Sequence, residues 1–281
     1  IQTYTAETIT INSNKPDFVI KKGPWAGKNL YELYEWAHTP WDWHEDIFAK
    51  GKELDLTVFS SPFDRTAVDF LEQFKPPVYK IASFELVDTP LIEYVAKMGK
   101  PIIMSTGMAN HNEIKDAVAA ANVGGVNDLA LLHCTSGYPT PYDQSDLRTI
   151  ADLKRRYNLI VGLSDHSLES AVPIAASALG ASIIEKHFTS SRSNLGADSN
   201  FSLEPSEMNQ LVRDANIAWH ALGEVRRERA KSEETQIEFR RSLYVVSDIK
   251  ANDVFSSENI RSIRPGHGIE PKFYNSIIGL R

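Results

Sequence analysis

The chain has 281 residues, a formal net charge of -7, and 42% hydrophobic against 24% charged residues. This composition can fill one large α/β domain, or one domain with a small appendage, and its mild acidity argues against nucleic acid as a main partner. The single cysteine, Cys134, excludes an intrachain disulfide and suits a reducing, cytoplasmic setting, while no apolar run approaches the ~20 residues that span a membrane.

The chain opens IQTYTAETIT without an initiator Met, and residues 1–5 alternate like the end of a strand. It ends at IIGLR with no polar tail, so it is expected to be a piece of a longer protein. Thr39-Pro40 then precedes a helical pattern, WDWHEDIFAKGKEL. The aromatic stretch WAHTPWDWH (36–44) is read either as core or as a wall for a sugar ring. From there β-rich runs recur: LTVFSS (56–61), VYKIAS (78–83), PIIMST (101–106), LALLHC (129–134), LIVGLS (159–164) and SIIEKHF (182–188). Their starts lie 22, 23, 28, 30 and 23 residues apart. The runs are nearly continuous in apolar and β-branched residues, as in parallel strands covered on both faces. Helical patterns fill the gaps and carry start signals: Asp64 before RTAVDFLEQF, Asp88-Thr89-Pro90 before LIEYVAKM, and Glu204-Pro205 before SEMNQLVRDANIAWHALG.

Strand and helix thus alternate at the period of a βα unit, with no Gly-rich fingerprint of a doubly wound sheet. The fold class that fits is α/β: a (β/α)8 TIM barrel with its first βα unit missing. The alternative is an open doubly wound sheet. The barrel is assigned to residues 1–223. Residues 224–240, rich in both charges, read as a linker or exposed helix, and residues 241–281 as a small, incomplete β-rich domain.

In a barrel, chemistry gathers at the C-terminal strand ends. Those ends are polar in every run: Ser60 and Ser61; Lys80, Ser83 and Glu85; Ser105 and Thr106; Ser136 and Tyr138; Ser164, Asp165 and His166; Glu185, Lys186 and His187; with Asp198 in the loop that follows. Hydroxyls and a lysine suit a phosphate or carboxylate, and two histidines beside carboxylates suit a divalent metal. A lone strand-end His is more often a satisfied core residue, and Lys80 could simply pair with Glu85 or Glu185. Six polar ends together are harder to explain as packing, because buried polar groups cost stability without partners. His38, His44, His111, His133 and His220 read as structural, and Cys134 as packing, with no base partner nearby in sequence.

The blocks YKIASFE, MSTGMA, HCTSGYPTP, GLSDHS, EKHF and RPGHG, in this order, resemble the sialic acid synthase family across nearly the whole chain. Within it, GPWAGKNLYELYEWAHTPWDWHEDIF is most similar to the pseudaminic acid branch. The resemblance implies condensation of phosphoenolpyruvate with an open-chain acetamido sugar, here 2,4-diacetamido-2,4,6-trideoxy-L-altrose. It implies a divalent metal, Mn2+ or Mg2+, on His166 and His187. It places phosphoenolpyruvate on Ser61, Lys80, Ser83, Ser105, Ser136 and Ser164, and gives Glu85, Asp198 and Lys80 catalytic roles. It sets Tyr138 in the sugar pocket. It also implies an antifreeze-like (SAF) second domain, whose Arg264 reaches the neighbouring subunit of a domain-swapped homodimer. The family's first-strand AEIGxNHxG motif and the Lys before QTY have no counterpart here. The competing readings are an N-acetylneuraminate or legionaminate synthase, another metal-dependent barrel aldolase or isomerase, and a non-catalytic carbohydrate-binding scaffold.

Overall fold

A computed structural model describes residues 1–281. It divides into two compact units, Ile1–Leu222 and Gly223–Arg281. No helix is long and apolar enough to cross a membrane.

The first unit is built on seven parallel strands: β1 (Gln2–Thr3), β2 (Ser61–Pro62), β3 (Tyr79–Ile81), β4 (Ile102–Ser105), β5 (Leu129–Cys134), β6 (Ile160–Asp165) and β7 (Ile184–Lys186). β1 pairs with β2, a single bridge from Ser60 to Tyr79 carries the pairing on to β3, and β3 to β7 follow in unbroken order. Every neighbour in space is thus the next strand in sequence. A doubly wound sheet reverses direction at a switch point, so this order belongs to the curled sheet of a (β/α) barrel. The connecting helices start where their caps dictate. Asp64 accepts from the Thr66 and Ala67 amides ahead of Arg65–Glu72, and Asp88 accepts from Leu91 ahead of Thr89–Ala96.

Two expected strands are shorter than their sequences suggest. Of LTVFSS only the end is in the sheet, and Leu56 is 63% exposed. The apolar content of that run goes to Val58, which packs on Gly51, rather than to a ladder. Of SIIEKHF only Ile184–Lys186 is strand, after which Phe188 bridges in parallel to Leu203. His44 is fully buried and pins the sheet: Thr3 Oγ1 lies 2.7 Å from its Nε2 and 2.7 Å from Ser60 Oγ. The aromatic stretch 36–44 joins this packing, with Trp41 stacked on Phe70 at 4.4 Å. Its role is therefore structural at Trp41 and His44, not a sugar wall.

The core lies between strands and helices. Tyr79, Ile81, Met104 and Leu131 from the strands meet Leu71, Ile92, Val95, Ala117 and Leu153 from the helices. Small residues set how close the layers come. A Cβ on Gly162 of β6 would sit 2.3 Å from the Ile183 carbonyl oxygen and 2.7 Å from Leu132 Cδ2.

The second unit holds an antiparallel pair, β8 (Ser242–Val245) and β9 (Ile260–Ile263). Residues 224–240, read from their charge as a linker or exposed helix, fold with this unit. Lys231–Phe239 forms 3-10 turns, and the Glu238 carbonyl accepts from the Gly266 amide at 2.7 Å. Backbone pairing, which charge pattern does not reveal, holds the segment.

Gly162→Ala should therefore destabilise the first unit by roughly 1–3 kcal/mol, since an added methyl meets backbone that cannot yield. A urea midpoint equal to that of the unsubstituted protein would show that the β6–β7 spacing adjusts freely.

Candidate active site

The register of β6 against β7 pairs Ser164 with Glu185 and Asp165 with Lys186. Side chains alternate across a strand, so these two pairs lie on opposite faces. On one face Ser164 Oγ donates to Glu185 Oε1 at 2.6 Å. On the other, Lys186 and Asp165 form an ion pair whose side chains are only 2% and 3% exposed. Lys186 also donates to the Ser167 carbonyl, and Asp165 accepts from the Ser167 amide (3.0 Å) and hydroxyl (2.9 Å). The charged neighbours of the two histidines thus bond to each other and to the turn after His166, and the next residue on each strand, His166 and His187, falls side by side. The ring centroids are 5.3 Å apart.

Each imidazole is oriented through Nδ1. That of His166 is 3.0 Å from the Thr135 carbonyl oxygen, and that of His187 is 3.3 Å from Asp198 Oδ2. A carbonyl or carboxylate on Nδ1 fixes the proton there and leaves Nε2 with a lone pair, the arrangement that prepares an imidazole as a metal ligand. The pair therefore fits a divalent cation in donor chemistry. No group of three or more His, Cys, Asp or Glu side chains anywhere in the chain forms a metal-holding cluster. Two imidazoles are what the protein offers here, and water or substrate oxygens would complete the sphere.

Lys80, on β3, is 5% exposed. Its Nζ lies 3.4 Å from Glu185 Oε2 and donates to the Ile81 carbonyl at 3.2 Å. An ammonium has three donors, so one remains for an anion. The ion pair is with Glu185 and not with Glu85, which settles the two partners that the sequence left open. Burial alone would raise the Glu185 carboxyl, but Lys80 and Ser164 hold it below its ordinary range. Glu85 has no such partner: burial pushes it up to about 7, only partly offset by its own backbone amide and by Lys80. Its Oε2 is buried without a hydrogen-bond partner, and so is Ser105 Oγ.

Ser83 and Ser136 flank Gly107. Ser83 Oγ accepts from the Gly107 amide at 3.1 Å, and a Cβ on Gly107 would lie 2.2 Å from Ser136 Oγ. The same Cβ would be 3.0 Å from Cys134 Sγ, which is 3.9 Å from His166 Nδ1. The fold thus brings an imidazole beside Cys134 that its local sequence lacks, but the Nδ1 proton directed at the Thr135 carbonyl leaves that nitrogen no lone pair to serve as a base. Ser61 is buried at the start of the two-residue β2, and Ser164 is buried one residue before the end of β6. The contacts gather Lys80, Ser164 and Glu185 in one group, and Ser83, Ser136, His166, His187 and Asp198 in another alongside. Arg264 belongs to the second unit, exposed just after β9.

Tyr138 roofs this group, 4.5 Å from His166 and 5.2 Å from Phe201, which is itself 5.1 Å from His187. Burial, with Cys134 next, raises its hydroxyl to about 12. Trp25 packs on Tyr138 at 5.8 Å and on Phe201 at 6.4 Å. The loop that carries Asp198 is clamped by Arg192, whose two Nη atoms reach the Glu207 carboxylate at 2.5 and 2.9 Å. Trp25 and Phe201 are the site residues that sequence reasoning passed over, while Glu185 was named only as a strand-end group and a possible partner of Lys80. Glu185 was within reach, because period-two alternation puts it on the face of His187.

The NeuB family matches residues 1–227 of the chain. Pseudaminic acid synthase of Campylobacter jejuni is 43% identical over 99% of this chain and 81% of its own length. That of Helicobacter pylori is 41% identical over 99% and 82%. Among solved structures, the N-acetylneuraminic acid synthetase of Leptospira borgpetersenii matches with a TM-score of 0.73 at 30% identity, over 84% of this chain and 78% of that one.

Removing one partner of the Asp165–Lys186 pair leaves a buried unpaired charge. Lys186→Met should cost about 3–5 kcal/mol, and adding Asp165→Leu should recover much of it. Urea unfolding of the single and double variants decides this; a double variant no more stable than Lys186→Met shows that the pair is not the source of the loss.

Proposed function

The chain belongs to the NeuB family, and on that premise we propose that it is a nonulosonic acid synthase of the pseudaminic acid branch. It would condense phosphoenolpyruvate with 2,4-diacetamido-2,4,6-trideoxy-L-altrose to give pseudaminic acid and phosphate. The relatives at 41–43% identity point to this branch, ahead of the neuraminate branch represented by the 30% identical structure. The observation that carries the reading is local: a buried cation with a spare donor, Lys80, is linked through Glu185 to a strand end where two imidazoles stand side by side.

In this reading Lys80, Ser83, Ser105, Ser136, Ser164 and Ser61 hold the phosphate and carboxylate of phosphoenolpyruvate. Lys80 contributes charge from a site that excludes water, where the attraction is stronger than in solvent. Ser105 Oγ, buried and unpartnered, gains a partner only when such an anion arrives. His166 and His187 would hold manganese or magnesium, which when bound would supply Lewis acidity for polarising the sugar's aldehyde. The methylene carbon of phosphoenolpyruvate forms the new bond to the aldehyde carbon, water adds at C2, and the C2–O bond to phosphate breaks. One water is consumed and one phosphate is released. The protein's part is to hold the two reacting carbons together and to move protons. Glu85, pushed up to about 7, is protonated at slightly acid pH and suits donation to a departing oxygen. Asp198, beside His187, suits holding that ring and meeting positive charge. Arg264 and the second unit, read as the SAF-like domain, belong to the same proposal, with a homodimer that brings Arg264 to a neighbour's sugar. A cytoplasmic setting goes with it.

Full-length protein given phosphoenolpyruvate, manganese and the altrose derivative should release phosphate, with EDTA abolishing release and His166→Ala removing the metal response. Release with N-acetylmannosamine instead moves the enzyme to the neuraminate branch, and release with neither sugar refutes the synthase reading.

The pH profile tests Glu85. An acid that must be protonated works below its pKa, so kcat should fall as pH rises through about 7. Glu85→Gln keeps the shape but has no proton to give, and should lose about 100-fold or more in kcat and flatten that limb. A limb that persists in Glu85→Gln belongs to another group.

A further inference from the structure

Trp25 sits far from the site in sequence, 172 residues from Ala197. It rises from a loop, residues 20–29, that is closed at its base. The Ile20 amide donates to the Lys28 carbonyl (3.0 Å), the Gly27 amide to the Ile20 carbonyl (2.8 Å), and Val19 bridges Asn29. Gly23 and Gly27 take φ values of +90° and +87°, a conformation that costs other residues strain and lets the loop turn twice within a few residues. Asn29 is buried and ties the base down through Tyr31, Ser13 and Asn14. The loop is therefore built to present its tip.

At that tip the indole reaches across to the loop after β7. Its Nε1 donates to the Ala197 carbonyl at 3.1 Å, and its ring packs on Tyr138 and Phe201. These two rings are the ones that contact His166 and His187. Trp25 is half-buried, so part of its surface is not covered by these contacts. Its single polar atom is already spent on Ala197, and indole has no other donor or acceptor. The open part is purely apolar. It can accept a C–H or methyl surface and cannot satisfy a hydroxyl.

We propose that Trp25 is a specificity-determining residue whose indole, with Tyr138 and Phe201, receives an apolar substituent of the sugar, a deoxy-carbon methyl or an acetamido methyl, beside the two histidines. The identity of the ligand as an acetamido sugar rests on the functional reading above; the wall itself rests on the contacts. A sugar with a hydroxymethyl in place of a methyl seated on the indole would leave its hydroxyl unpaired against that ring and bind less well.

The test compares full-length wild type, Trp25→Ala and Trp25→Phe, by steady-state kinetics and by calorimetric titration with each sugar. Trp25→Ala should raise KM and Kd for the 6-deoxy diacetamido sugar at least tenfold, leave KM for phosphoenolpyruvate within twofold, and narrow the preference over N-acetylmannosamine. Trp25→Phe should restore most of the loss. An unchanged sugar KM in Trp25→Ala overturns the proposal, and so does a phosphoenolpyruvate KM that rises in step, because that marks general damage. If wild type turns over neither sugar, the synthase reading fails while the binding data still decide Trp25. Weaker sugar binding by Trp25→Ala supports the wall; equal binding, or no binding by wild type, overturns it.

Discussion

The buried pairing of Asp165 with Lys186 is the constraint from which the rest of the site follows. Two charges taken out of water cost several kcal/mol each, and their attraction repays this only with good geometry and further hydrogen bonds. Here the bonds are present: Ser167 meets the carboxylate through both its amide and its hydroxyl, and its carbonyl accepts from Lys186. The pair therefore fits one register. A slip of one residue would turn every side chain of β7 to the other face, setting Lys186 beside Ser164 and Lys80, moving Glu185 to the face of Asp165, and sending His187 away from His166. Apolar packing alone would tolerate such a slip better, since both faces of a parallel strand are covered.

Within that register two carboxylates are driven apart in acidity by what surrounds them. Glu185 is buried but lies against Lys80 and Ser164, and stays ionised. Glu85 is buried with one oxygen unpartnered, and holds its proton to about pH 7. The difference is not in the residue type but in who claimed Lys80. Had Lys80 paired with Glu85, the site would hold a neutral acid beside Ser164 and no proton donor at the β3 end. Environments that push pKa values apart are how one site provides both an acid and a fixed charge.

Much of this was legible in the sequence, for physical reasons that also mark where legibility stops. Strands covered on both faces must be apolar throughout, so LALLHC and PIIMST declare themselves, and their βα spacing implies a parallel barrel-type sheet. LTVFSS overstates its strand, because an apolar run can also bury itself against a helix, as Val58 does on Gly51. His166 and His187 stood out because a strand end is a costly place for an imidazole. Lys186 and Asp165 did not reveal their partnership, which depends on register, and register is a property of two strands together. The closeness of Cys134 to His166, and that of Trp25 to Phe201, arise from curling the sheet, and no local pattern carries that information. Residues 224–240 show a similar limit: their charges describe a solvated face, which the exposed 3-10 turns of Lys231–Phe239 have, while the backbone bond from Gly266 to Glu238 ties them to the second unit.

The division of labour between strand ends and loops follows from stiffness. Lys80, Ser164, Glu185, His166 and His187 sit on or immediately after strands whose positions are fixed by ladder bonds and by the Asp165–Lys186 pair. Groups that handle reacting atoms need that precision, since small misplacements cost large factors in rate. The aromatic roof is assembled differently. Trp25, Tyr138 and Phe201 come from three separate loops and are held by ring contacts and one indole hydrogen bond. Such a surface can change shape by substitution without disturbing any strand. The strand ends could therefore stay fixed while the roof varies. On that argument, selection among sugars is expected to reside where the scaffold is least constrained, and the chemistry where it is most.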